Sequence, residues 1–454
     1  MDLSFLTPQR VTSVFLAAMA TVFLLFVGEG GYTSITHFKY TLFLILCGLY
    51  FIAVFFACLV YRRTKGHFPR VCLTAVHGLL LLFLAFTAVS AVVSPYFPHT
   101  LIGFHRYEGL LTVVCYVGIA VSVSFFAEFR PWLIRVFAVS VTIFCLICFL
   151  QLLGRNPLGL YPEGLNYYDA GTAYRYEFLG TVGNADLTAA VLAVAALALA
   201  AAIVRGTGRK RFLLLIPFLS VILVTVFSKV AAAYAAVFGG LLMLIPLALV
   251  RDGRRRLLVF LLICCLILAV LFLVFLFDFG NGALHELHAL LHGEWDDAFG
   301  TGRLFIWRNV LALVPERPLF GGGCDTLGQR MTAEFQRYDA ETGVMYRASI
   351  DTAHNEYLNI LVNEGALALA AYLGALFLSF IAFLRENSKN AVTAVCGAAM
   401  LGYSIQAFFG MRMCITAPFF WLFWGLLLAS LRPRQGTESD GTAAESEKMP
   451  QKTG

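Results

Sequence analysis

Uncharged apolar stretches and short charged segments alternate from one end of this chain to the other. Cutting at the charged residues leaves twelve runs, 11–28, 40–61, 71–94, 109–127, 136–154, 187–204, 212–228, 230–250, 257–277, 365–384, 390–411 and 413–431. Each comes close to or within the about 17–25 residues that a helix needs to cross a bilayer. Lipid offers no water to backbone groups, so only helices and closed barrels span it. The pattern predicts an all-α polytopic membrane protein with about 12 transmembrane helices. The first run has 18 residues with another close behind, and one Arg precedes it, which reads as a retained span rather than a cleaved signal.

Two connections stand out by length, 154–186 and 278–364. The short segments RRTKGHFPR, RGTGRKR, RDGRRR and RENSK, and the start of the tail RPR, hold the clusters of Lys and Arg. Positive residues stay inside, so both termini are expected in the cytoplasm and both long connections outside. The outer segments then hold isolated cations, Lys39, Arg106, Lys229 and Arg412. Residues 1–432 are read as one transmembrane domain. Residues 433–454 are polar and almost without apolar side chains, a composition that predicts a disordered cytoplasmic tail.

Composition agrees: 60% of residues are hydrophobic and 13% charged, against about 25% charged in soluble proteins. The net charge of +6 is mostly the topology signal, so nucleic-acid binding is not inferred. Ten of the eleven cysteines lie inside apolar runs and Cys324 stands alone, which gives neither a disulfide framework nor a zinc-ligand spacing.

Candidate chemistry collects in the outer segments. In GTGRLFIWRNVLALVPERPLFGGG, Thr301 offers an N-cap, and Leu304, Trp307, Leu311 and Val314 recur at helical spacing until Pro315 and Pro318. Arg303 falls in the first turn of that helix, where free backbone amides also favour an anion. In DTAHNEYLNILVNEG, Asp351 or Thr352 is expected to cap a helix that holds His354 in its first turn and runs through Glu364 into a span. A helix N-terminus disfavours an imidazolium, so a proton-accepting imidazole is expected there. Glu364 reads as a packing partner of Arg412. His285, His288 and His292 share one helical face; zinc and an interfacial helix with solvated histidines both fit. Tyr161, Tyr167, Tyr168, Tyr174 and Tyr176 crowd the first long connection, where aromatic faces suit sugar rings, loop packing or interface anchoring.

TGRLFIWRNVLALVPERPLFGGG followed by AHNEYLNILVNEGALALAAYL resembles the signature of the O-antigen ligase and O-antigen polymerase family. LGTVGNADLTAAVLAV is similar to that family's Gly-x-x-Gly-Asn stretch, FSKVAAAYAAVFGGLL to its Ser-Arg-Gly-like step, and FHRYEGLLTVVCY also resembles family material. The resemblance implies a type C glycosyltransferase fold with a long helical outer loop. It also implies a polyprenyl-pyrophosphate-linked glycan donor and an acceptor hydroxyl on a glycan, lipid or protein at the outer face of a bacterial cytoplasmic membrane. It assigns catalysis to Arg303 and His354 and a third family Arg to position 229. Lys229 keeps the charge there and loses the bidentate geometry of an arginine.

The chemistry is consistent. A sugar on pyrophosphate already has a good leaving group, so the protein must hold the diphosphate, stabilise its growing charge and present a hydroxyl in line. Arg303, Lys229 and Arg106 suit the anion, His354 suits the hydroxyl proton, and Asn355 and Trp307 are further candidates for contacts with the donor. No cofactor and no metal is implied, since nothing in the outer segments resembles an Asp-x-Asp site. One direct displacement predicts inversion. The competing reading is a transporter or flippase for lipid-linked saccharides, which would place polar groups near the bilayer midplane; a non-catalytic assembly partner is a third.

Overall fold

The computed structural model describes residues 5–432 apart from 105, 162–178, 251, 281, 340–343 and 387–389. The predicted tail 433–454 and Tyr167, Tyr168, Tyr174 and Tyr176 lie outside the described residues. The helices are α1 (Pro8–Ala18), α2 (Ile35–Lys65), α3 (Ala75–Val93), α4 (Leu110–Phe126), α5 (Pro131–Leu152), α6 (Ala185–Arg205) and α7 (Leu215–Ser228). They continue as α8 (Ala231–Leu247), α9 (Gly253–Leu276), α10 (Gly282–Leu291), α11 (Arg303–Leu313), α12 (Leu327–Arg330), α13 (Glu356–Asn363), α14 (Ala366–Glu386), α15 (Ala391–Gln406) and α16 (Ala417–Ser430). Among the described residues, α2, α3, α5, α6, α9 and α14 and the stretch Arg209–Ser228 ending in α7 are long and apolar enough to cross a membrane, seven in number; α4, α8, α15 and α16 are shorter apolar helices. The chain is a polytopic helical membrane protein.

Helices α6, α15 and α16 are the most buried and form the centre. Helix α15 packs on α6, α16 on α4, and α14 on α3. Small residues make the first contact close: a Cβ on Gly402 of α15 would stand 2.6 Å from the Ala193 carbonyl oxygen of α6. Without a hydrophobic drive between helices in lipid, such close backbone approach is what holds spans together. Helix α6 is buried continuously from Leu187 to Leu199, and α16 from Ala417 to Leu428. Helix α9 is the opposite: beyond Arg254–Arg256 in its first turn it exposes Leu257, Leu258, Phe260, Leu261 and Leu262, as an apolar helix facing lipid would.

Lys39 does not sit in an outer segment as predicted. It lies within α2, fully buried, and its ammonium donates to the carbonyls of Phe23 at 2.7 Å and Leu24 at 3.0 Å. The reason is the widened π-turn Met19–Phe23 that continues α1. Such a turn and the helix end after it free carbonyls, and a bilayer supplies no water to take them up.

The long second connection is not wholly helical. Residues Glu334–Asp339 (β1) and Val344–Ser349 (β2) form an antiparallel hairpin, with Glu334 opposite Ser349 and Asp339 opposite Val344. Helix α11 forms where the apolar spacing placed it, rotated from the expected face. Val310 is buried, with Ile306, Leu313 and Val314 packed beside it against Leu327, Ala353 and Val362, while Leu311 is exposed. Its N-cap is Gly302, without a side-chain bond, because the Thr301 hydroxyl donates to Gly300 O instead. The helix expected to run from residue 351 into the membrane is two helices, α13 and α14. Gly365 between them has φ +91, and a Cβ there would stand 2.2 Å from Leu319 O. The break lets the Gly365 amide cap Ile360 O and Leu361 O while the Ala366 amide reaches Pro318 O.

Gly365→Ala therefore adds a clash to an unfavourable dihedral, whereas Gly66→Ala at φ +79 meets nothing within 4 Å. Thermal unfolding in detergent should show Gly66→Ala costing about 1–2 kcal/mol for the left-handed backbone alone, and Gly365→Ala markedly more. Equal shifts for the two would refute the close approach of the 318–320 segment.

Candidate functional site

Helix α6 begins with Asn184, whose side-chain oxygen accepts from the Asp186 amide at 2.8 Å and the Leu187 amide at 3.3 Å. That N-cap fixes where Asp186 stands in the first turn. Gln406 Nε2 at the end of α15 donates to the Asp186 carbonyl at 2.9 Å. Upstream, Gln151 Oε1 accepts from the amides of Leu179 and Gly180. Sequence reasoning passed over Asp186 as the residue that ends a loop. The structure places it between the two residues on which the sequence argument rested.

Arg303 Nη2 donates to both Asp186 oxygens, at 3.1 and 3.2 Å. Its Nε donates to Phe409 O at 3.2 Å, and Nη1 to Gly300 O at 3.0 Å and Thr301 Oγ1 at 2.8 Å. Every arm of the fork thus has a partner. Two of the acceptors, Gly300 O and Thr301 Oγ1, belong to an exposed turn with left-handed backbone through residues 300–302. An anion arriving there has N–H groups to take over without touching the Asp186 contact.

His354 is not in a helix. It precedes the N-cap Asn355, whose side chain accepts from the Leu358 amide at 3.0 Å, and α13 starts at Glu356. Asn355, rather than Asp351 or Thr352, makes the cap because His354 has φ +46, a left-handed value that no helix includes. A non-glycine residue held there stores strain of the kind that accumulates at functional sites. Two bonds over-determine it: Trp307 Nε1 donates to Ala353 O at 2.9 Å, and the Glu356 amide to Ala407 O at 2.8 Å. The result brings His354 Nδ1 to 3.2 Å from Asp186 Oδ2. A carboxylate only accepts, so the ring nitrogen facing it carries the proton. In the neutral tautomer Nε2 then keeps its lone pair, with the side chain 28% exposed.

The remaining predicted residues fall in different places. Arg106 is paired with Asp351 through Nε–Oδ2 and Nη2–Oδ1, both 2.9 Å, and its Nη1 lies 3.3 Å from Met411 Sδ. It anchors the segment three residues before His354. Trp307 holds the backbone just before His354, and Asn355 caps α13 just after it. Lys229 is exposed in the turn between α7 and α8, with φ +56, and no contact of its ammonium occurs among the described residues. Because α6 and α7 are antiparallel neighbours, that turn lies at the same end of the bundle as Asp186. Of the three histidines in and just after α10, His285 pairs with Asp278, while His288 and His292 lie together with ring centroids 4.2 Å apart, His288 bonding Val274 O and His292 stacking on Phe275. Tyr161 is buried edge-on against Tyr32.

Asp186, Arg303 and His354 come from three distant points of one continuous segment, and that segment has known relatives. Residues 179–373 match the O-antigen ligase family. Asp186, Arg303 and His354 all lie inside the matched stretch, whereas Arg106, Phe409 and Arg412 lie outside it. No curated protein matches the chain. The match therefore makes residues 179–373 similar to the O-antigen ligase family, within a chain of many long apolar helices.

The Asp186 contacts are sheltered, with side-chain exposures of 18% for Arg303 and 14% for Asp186; those of Arg308 with Asp297 are open, at 67% and 48%. Asp186→Asn should lower unfolding stability in detergent by about 1–3 kcal/mol, the scale of a charged hydrogen bond lost in a sheltered site. Asp297→Asn should stay within about 0.5 kcal/mol. Equal effects would show that Asp186 is not a structural centre of the cluster.

Proposed function

We propose that the protein transfers an oligosaccharide or polysaccharide from a polyprenyl-pyrophosphate carrier to an acceptor hydroxyl at the outer face of the cytoplasmic membrane. In this reading the twelve apolar runs are twelve spans, both termini are cytoplasmic, and the Asp186 cluster faces outward. The observation that carries the reading is the placement of His354 and Arg303 on the two sides of one carboxylate. Asp186 holds Nδ1–H, so Nε2 is the basic atom presented to the open side.

The step follows from those groups. The acceptor oxygen attacks the anomeric carbon from the face opposite the diphosphate, the new C–O bond forms as the bond to the diphosphate oxygen breaks, and inversion results. The hydroxyl proton passes to His354 Nε2, and Asp186 stabilises the imidazolium that forms. Diphosphate leaves as an anion, drawn by the Arg303 N–H groups that Gly300 O and Thr301 Oγ1 now occupy, and by Lys229 as a point charge. Cationic side chains, not a metal, hold the anion in this mechanism.

Charge placement favours this over a transporter. Asp186, Glu108, Glu364 and Arg412 all lie at or just beyond helix ends on one side of the bundle. Lys39 is one turn inside α2 and is taken up by carbonyls. A carrier would keep such groups at the midplane, on interrupted helices.

His354→Ala and Arg303→Ala should each reduce glycan transfer by about 100-fold or more with purified lipid-linked donor, with insertion and abundance unchanged. Lys229→Arg should retain activity where Lys229→Ala loses it. Full activity of either alanine variant at 303 or 354 removes that residue from the mechanism. Flipped donor without new glycosidic bonds would replace the reading with transport. In the same assay, lengthened products assign a polymerase and glycosylation of a second molecule assigns a ligase.

A further inference from the structure

Behind the cluster, a second group of charges is sealed from water. Arg412 Nε donates to Glu108 Oε2 at 2.9 Å and Nη2 to Glu364 Oε1 at 2.5 Å, with all three side chains at most 4% exposed. Glu108 also accepts from Tyr116, and Glu356 nearby accepts from Tyr372 and Tyr403. The three residues belong to three different connections, and each connection carries part of the site. Glu108 lies two residues after Arg106. Glu364 closes α13, the helix that follows His354. Arg412 lies three residues after Phe409, whose carbonyl receives Arg303 Nε.

The arrangement is poorly suited to stability alone. One guanidinium faces two carboxyls, and Glu364 Oε2 and Arg412 Nη1 are without partners among the described residues. Burial pushes Glu108 up to about 7 against the pull of Arg412 and raises Glu364 likewise. For Arg412, burial acts downward, and the surrounding carboxylates overcome it and raise it. Buried ion groups of this kind are commonly no better than well-packed apolar residues of the same volume. What they supply is direction: a planar fork fixes two carboxylates at defined angles.

We propose that Arg412 is a positioning residue whose guanidinium, by gripping Glu108 and Glu364, sets the relative placement of the three connections that present Arg106, His354 and the Phe409 carbonyl. It touches no reacting atom and acts through those loops. The proposal rests on the glycosyl-transfer reading only for its effect on turnover; the geometric part stands by itself.

The test uses the full chain in detergent and two readings. One is kcat and KM with the lipid-linked donor. The other is the rate at which diethyl pyrocarbonate modifies His354, followed on its peptide by mass spectrometry, which needs no activity. In Arg412→Met/Glu108→Gln/Glu364→Gln the guanidinium and both carboxyls it grips are replaced together, and Glu356 keeps its bonds from Tyr372 and Tyr403. That variant should accumulate normally, lose about tenfold or more in kcat with donor KM little changed, and show His354 modified at least about threefold faster. Arg412→Lys, which keeps the charge and loses the fork, should show the same changes in smaller degree and decides the matter if the triple variant does not accumulate. Wild-type kcat and wild-type modification in folded variants overturn the proposal. Faster modification in a protein whose parent transfers no glycan leaves the positioning role standing and removes the proposed function instead.

Discussion

A carboxylate can accept hydrogen bonds and cannot donate them, and the candidate site depends on that asymmetry at Asp186. Because the group accepts from both sides, it can join a guanidinium to an imidazole and fix the proton on the nitrogen it faces. The same contact stops Arg303 from closing over His354, since the Nη2 of the fork is already engaged by the two Asp186 oxygens. In water such an arrangement would be worth little. Sheltered at the head of α6, between Gln406 and the 300–302 turn, it is worth more, because few waters compete for those oxygens.

The bilayer imposes the second constraint. Charges are tolerated in it only at helix ends or when fully paired, so a protein that needs several cations and carboxylates together must bring many helix ends to one place. Antiparallel neighbours do this without long loops. The short connections between α3 and α4 and between α15 and α16 deliver Arg106, Glu108, Phe409 and Arg412 to the same end as Asp186. Lys39 is a useful contrast. Its ammonium closes the carbonyls left by an irregular helix, so a buried charge one turn inside a span here serves the backbone and not a ligand.

Much of this was legible in the sequence, and the rest had physical reasons for staying hidden. Apolar runs marked the spans because lipid selects composition directly. The loop helix with Arg303 was visible from its spacing and its prolines. The local geometry of His354 was not, because Asp351, Thr352 and Asn355 are all competent caps, and only the contacts of Trp307 and Ala407 select the last. Asp186 was missed because a charge at the edge of an apolar run looks like the end of a loop. The signal was nevertheless present: an acid two residues after Asn184 must fall in the first turn of the helix that Asn184 caps, on the membrane side of that cap. The hairpin 334–349 gave no comparable signal, since its alternation is short and mixed with charge.

The family match covers 179–373, yet that stretch does not make a complete site. Arg303 needs Phe409 O, Asp186 needs Gln406, the His354 segment needs Ala407 O, and Asp351 is held by Arg106. All four partners lie outside the match, three of them in or just beyond α15 and one before α4. Helix α15 also makes the close backbone contact with α6 that sets the position of Asp186. The candidate residues Asp186, Arg303 and His354 are therefore grouped in one part of the chain, while the groups that hold them come from the helices on either side.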